Sequence, residues 1–120
     1  MKEEREYLFY LRDIDDEINQ IFIYTQHLDL GAFKKNRLVV DAVIRNFEII
    51  GEACKNIPEK IKDKYPQIPW SKMYRLRNIV SHDYFGIDYD VIWKIITNYL
   101  HDNQQDIQRI IEMEFTNESQ

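Results

Sequence analysis

The chain has 120 residues, with 16 basic and 21 acidic side chains, three histidines and one cysteine, for a formal net charge of −5. That length suits one domain, and 44% apolar residues with 13% aromatics exclude a disordered chain. Three glycines and three prolines disfavour a many-stranded sandwich or barrel, and a lone Cys54 excludes an internal disulfide or a cysteine-rich zinc site.

The predicted elements are all helical. Residues 4–29 read as a long helix, because Tyr7, Leu11, Ile14, Ile18, Ile21, Thr25 and Leu28 recur at alternating spacings of four and three. Gly31 reads as its stop. Residues 33–56 form a second long helix with Val39, Val43, Phe47, Ile50, Cys54 and Ile57 on its apolar face. Gly51 inside that helix costs about 1 kcal/mol against alanine, so another backbone is expected to cross there. Pro58 opens a short helix over 58–64, and Pro69 opens a third main helix over 70–81 with Met73, Leu76 and Val80 inward. Gly86 reads as a turn. Asp88 caps a helix over 89–100 that faces Ile92, Ile95, Ile96 and Tyr99 to the core. A last helix covers 102–115 with Ile107, Ile110 and Ile111. The expectation is one all-α domain over 1–115 with a frayed tail over 116–120.

Charge is unevenly spread. Residues 1–30 carry three bases and eight acids, residues 31–80 eleven bases and five acids, and residues 81–120 two bases and eight acids. The basic middle third suits a phosphate-bearing partner; acidic outer helices packed on a basic central one for solubility explain it equally well. The longest apolar run, Ile21 to Tyr24, is far short of a membrane span, and Met1 precedes Lys2-Glu3-Glu4-Arg5-Glu6 with no apolar signal core. A small soluble cytoplasmic domain, with no membrane partner, is expected.

One segment concentrates chemistry: Arg77-Asn78-Ile79-Val80-Ser81-His82-Asp83-Tyr84. Arg77 can grip a phosphate through two parallel hydrogen bonds, and a histidine with an ordinary pKa of about 6.5 can exchange a proton near neutral pH. RNA carries its own nucleophile in the 2′-hydroxyl, so this set suits phosphodiester cleavage without metal. Asn78 suits orienting the imidazole or binding a phosphate oxygen. Arg77 and His82 lie about 140° apart around an ideal helix. They converge only if the helix breaks near Ser81, if the arginine reaches around, or if two copies meet. Against catalysis stands a plainer reading, in which His82 caps a helix, Arg77 pairs with a surface acid and Tyr84 fills a core slot.

Arg77-Asn78-x-x-x-His82-x-Tyr84 resembles the motif of the HEPN superfamily in its HepT-like branch. Arg45-Asn46-Phe47-Glu48-Ile49-Ile50-Gly51-Glu52-Ala53, Pro66-Gln67-Ile68-Pro69-Trp70 and Gly86-Ile87-Asp88 are similar to that branch as well, over about residues 37–111. The resemblance implies an up-and-down helical bundle with two long helices and shorter C-terminal ones. It also implies the toxin of a type II toxin–antitoxin pair: a metal-independent, homodimeric endoribonuclease needing no cofactor. By the same resemblance Arg77 binds the scissile phosphate, His82 transfers protons and Asn78 belongs to the site. Tyr84 is then where a partner minimal nucleotidyltransferase, the antitoxin, attaches AMP. The alternative function is a non-catalytic nucleotide- or partner-binding subunit of a nucleotidyltransferase complex; a structural adaptor with an inert motif is a third.

Other residues admit two readings. Asp41, Arg45, Glu48 and Glu52 form a polar stripe in which Arg45 or Glu52 lines the cleft or orients His82, unless it is a solvated or interfacial ion-pair network. Lys72 and Arg75 are RNA-backbone contacts, or merely exposed bases. Cys54, Trp70 and Trp93 read as packing, and His27 and His101 lack partners at metal-ligand spacing.

Overall fold

The structure, a computed structural model, describes residues 2–78 and 88–115, with side chains from residue 6 onward. The seven helices of the described residues are α1 (Lys2–Thr25), α2 (Leu30–Lys35), α3 (Arg37–Lys55), α4 (Glu59–Lys64), α5 (Trp70–Arg75), α6 (Tyr89–Asn98) and α7 (Leu100–Phe115), with a 3-10 turn, Leu76–Asn78, after α5. They make an all-α, HEPN-like bundle in which α1 packs on α3 and α7, and α3 packs on α5 and its turn. No helix among the described residues is long and apolar enough to cross a membrane.

The α1 stripe is the spine of the core. Tyr7, Leu11, Ile14, Ile18, Ile21 and Thr25 are all buried. Each fully buried aliphatic side chain contributes about 1.5–3 kcal/mol. Thr25 Oγ1 donates to the Ile21 carbonyl at 2.7 Å where the helix ends, four residues before the expected 29.

Gly31 does not stop a helix. It lies inside α2, because Asp29 accepts a hydrogen bond from the Ala32 N–H at 2.8 Å and starts a new helix there. The expected helix over 33–56 is likewise divided. Asn36 ends α2 with its own N–H on the Phe33 carbonyl, and its side chain accepts from the Val39 N–H at 3.1 Å to begin α3. One asparagine serves both ends. The break turns Phe33 into the core against Tyr89 and Trp93, with ring centroids 6.4 and 5.1 Å away.

On α3, Val40, Val43, Ile44, Phe47, Ile50, Ala53 and Cys54 are buried, while Val39 is half-buried. Burial pushes the Cys54 thiol up to about 12. Asn46 is buried too, and its amide donates to Glu17 Oε1 on α1 at 2.8 Å.

The short helices are tied from outside. Tyr65 Oη donates to Glu114 Oε2 at 2.5 Å, and Lys64 Nζ sits 2.7 Å from the same oxygen, so α7 clasps the end of α4. The Trp70 indole N–H donates to the Tyr65 carbonyl at 3.0 Å and fixes the start of α5. Desolvation and the hydrogen bond to Glu114 push the Tyr65 phenol up to about 12. Desolvation works the other way on Glu114, yet the hydrogen bonds from Lys64 and Tyr65 prevail and hold it below the usual carboxylate range.

The expected helix over 70–81 keeps α-helical winding only to Arg75 and then tightens. Residues 79–81 and the expected turn at Gly86 lie outside the described residues, as does the tail over 116–120. Further on, Asp88 caps α6 as read, accepting from the Val91 N–H at 3.1 Å. Tyr99 departs from expectation. It is 51% exposed, because α6 ends at Asn98 and the Tyr99 backbone (φ −121°, ψ −36°) leaves the helical path before α7 begins. That same bend starts α7 at Leu100 instead of 102.

Candidate active site

The site begins with the missing side chain of Gly51. A Cβ there would lie 2.5 Å from the Arg77 Cβ and 2.8 Å from both the Arg77 nitrogen and the Tyr74 carbonyl oxygen. The α5 segment and its 3-10 turn therefore cross α3 at van der Waals contact of backbone on backbone, the close approach the sequence predicts. The glycine fixes where the arginine leaves its backbone.

From that anchor the Arg77 side chain runs along α3. Its Nη1 lies 2.7 Å from Glu52 Oε2 and donates to the Tyr74 hydroxyl at 3.5 Å. The guanidinium also stands over the Tyr74 ring, 5.6 Å from its centroid. Arg77 is 37% and Glu52 54% exposed at the side chain, so the pair is open to solvent. Both contacts use Nη1. A guanidinium carries five N–H donors, and among the described residues Nε and Nη2 make no hydrogen bond. Among the described residues the arginine is thus held by one edge, which leaves Nε and Nη2 for an incoming phosphate.

The remaining expected site residues divide. Asn78, exposed, follows directly on the turn. His82 and Tyr84 lie outside the described residues. Of the polar stripe on α3, only Glu52 is brought to Arg77. Arg45 pairs with Glu48 at 3.6 Å on an exposed surface, and Asp41 with Arg37 at 3.2 Å, the plainer of the two readings for those residues. Lys72 and Arg75 are exposed on the face of α5 turned toward α6 and α7, where they edge a groove shared with Tyr99 and Asn103. Tyr74 was not singled out in the sequence. Its spacing three before Arg77 is the signal that would have found it.

The ribonuclease HepT-like family model matches residues 14–110. A Methanocaldococcus jannaschii protein named "Putative RNase MJ0127" is 42% identical over 103 residues, covering 86% of this chain and 85% of that one. "Probable ribonuclease HepT" of Thermococcus cleftensis is 42% identical over 93 residues, 78% of this chain and 84% of its own. A Caldanaerobacter subterraneus protein named "Putative RNase TTE0752" is 30% identical over 105 residues, 88% of this chain and 94% of that one. No solved structure gives a significant match. The chain belongs to the HepT-like ribonuclease family.

Proposed function

We propose that this chain is the toxin of a type II toxin–antitoxin pair, a metal-independent endoribonuclease silenced by AMP on Tyr84. The observation that carries the reading is Arg77, seated on Gly51 and held through Nη1 by Glu52, in a chain of a ribonuclease family. In the proposed step the RNA 2′-oxygen attacks the adjacent phosphorus, and the bond from phosphorus to the 5′-oxygen breaks. The products are a 2′,3′-cyclic phosphate and a 5′-hydroxyl. Arg77 neutralises the charge that grows on the phosphoryl oxygens. One imidazole takes the proton of the 2′-hydroxyl and another returns one to the leaving oxygen, which is the role of His82 in a homodimer. Asn78 completes the polar wall.

Silencing follows from charge. A nucleotidyltransferase partner that moves AMP from ATP to the Tyr84 oxygen, releasing pyrophosphate, would place a bulky anion two residues from His82 and repel RNA.

The test is cleavage of RNA by purified, unmodified protein in the presence of a chelator. His82→Ala and Arg77→Ala should each lower the rate by about 10²–10⁴-fold with the helical circular dichroism intact. Full cleavage by His82→Ala overturns the reading. Intact wild-type protein that leaves varied RNAs uncut, with or without chelator, points instead to the nucleotide- or partner-binding subunit. A mass increase of one or more AMP groups mapping to Tyr84, after co-expression with a minimal nucleotidyltransferase of the proposed antitoxin class, tests the silencing separately.

A further inference from the structure

The groove on the other side of α5 encloses about 420 Å³ and is lined by Pro69, Met73, Leu76 and Ile95, with Lys72, Arg75, Tyr99 and Asn103 around them. That volume falls among small-ligand sites, which run from about 300 to 1,000 Å³. Its features are chemically unlike one another. The wall is apolar. Tyr99 is a large aromatic half in solvent at the bend between α6 and α7. Asn103, one turn further on, is nine-tenths buried, lines the groove and makes no side-chain hydrogen bond among the described residues. Its amide lies at the groove surface with its hydrogen-bonding capacity open to a ligand. Lys72 and Arg75 are exposed, and among the described residues neither has an ion-pair partner.

We infer that the groove is a nucleotide subsite for single-stranded RNA. The base lies against the apolar wall and stacks on Tyr99, its hydrogen-bonding edge meets the Asn103 amide, and the flanking phosphates meet Lys72 and Arg75. A flat heteroaromatic ring with a polar edge and an anion attached is the one ligand class that uses all four features. Charge complementarity favours it over an apolar protein segment, which would leave both cations and the amide unanswered. Leu76 in the wall is the chain neighbour of Arg77, so the groove and the anchored arginine share one end of α5 on different faces. The choice of RNA rests on the ribonuclease reading; the groove's chemistry for a nucleotide does not.

The probes are four 2′-O-methylated homo-oligonucleotides, which lack the attacking hydroxyl, titrated into the full chain. The side-chain amide signal of Asn103 is followed by nitrogen–proton correlation NMR. Binding should move that signal, Tyr99→Ala should weaken binding roughly tenfold, and Tyr99→Phe should restore it. Lys72→Gln or Arg75→Gln should each lower the slope of log affinity against log salt by about one unit. With cleavable RNA, Tyr99→Ala should raise KM more than it lowers kcat. An Asn103 signal that stays still at saturating oligonucleotide, or Tyr99→Ala binding as tightly as wild type, overturns the subsite. A dimer that dissociates on Tyr99→Ala with nucleotide binding unchanged assigns the groove to a second copy and also overturns it. Wild-type protein that binds these oligonucleotides through Tyr99 but cuts no RNA supports the subsite and removes the nuclease reading alone.

Discussion

Helix α5 has two faces that were built to opposite ends. On the α3 side there is no room for a single carbon: backbone lies on Gly51, and Arg77 is fastened by Glu52 and Tyr74. On the α6–α7 side a groove stands open, edged by two cations without ion-pair partners and an amide without a side-chain hydrogen bond among the described residues. The closed face gives one side chain a fixed origin. The open face leaves several side chains waiting. Six residues of helix and one tightened turn therefore supply both precision and capacity, which a continuous helix over 70–81 would not.

The sharpest way to break that contrast is Gly51→Ala. The added methyl meets backbone, which cannot swing away, so overpacking of about 1–3 kcal/mol should exceed the roughly 1 kcal/mol that alanine brings as a better helix former. We expect a lower Tm by several degrees and lost RNA cleavage, with oligonucleotide binding in the groove less affected. Gly31→Ala is the control. Its Cβ would meet only Asp29 Oδ1 at 3.5 Å, an ordinary contact, so stability should hold or rise by up to about 1 kcal/mol.

Glu52→Gln acts on the fastening rather than the crossing. Half-exposed ion pairs contribute about 0–1 kcal/mol, so Tm should barely move. Cleavage should still fall, by roughly 10- to 100-fold in kcat, because the guanidinium loses its fixed angle. Equal activity with equal Tm would make Glu52 a bystander.

The smallest expected effect lies far from both faces, at the clasp of α7 on α4. The folded-state pKa of Glu114 is depressed, so its contribution to stability is present above the ordinary carboxylate range and is lost as pH falls through the folded value. Glu114→Gln should therefore lower Tm modestly at pH 7, and the difference from wild type should shrink steadily in acid. A gap that widens on acidification would contradict the assignment.

Much of the bundle was legible because apolar spacing is a local property. The α1 stripe was readable from Tyr7 to Thr25, though not at Leu28 beyond the helix end, and so was the crossing at Gly51, since a glycine inside a long helix needs a packing reason. The breaks at Asp29 and Asn36 were less visible: each cap sits within an otherwise helical pattern, and only its hydrogen bond declares it. Tyr99 misled because its spacing continues the α6 stripe one step beyond where the helix stops. At the site, Arg77 and Glu52 were each identifiable, but their pairing was not. Two residues 25 positions apart meet only once the crossing is fixed. The groove was illegible for the same reason, its lining coming from the α5 segment, α6 and the start of α7.

Cys54 carries a practical consequence. Its thiol lies in the core at the end of α3 and keeps its proton to about pH 12, so alkylating reagents reach it only when the bundle opens. Its rate of labelling is then a clock for that opening, read without any introduced probe, and binding of a ligand that stabilises the closed form should slow it.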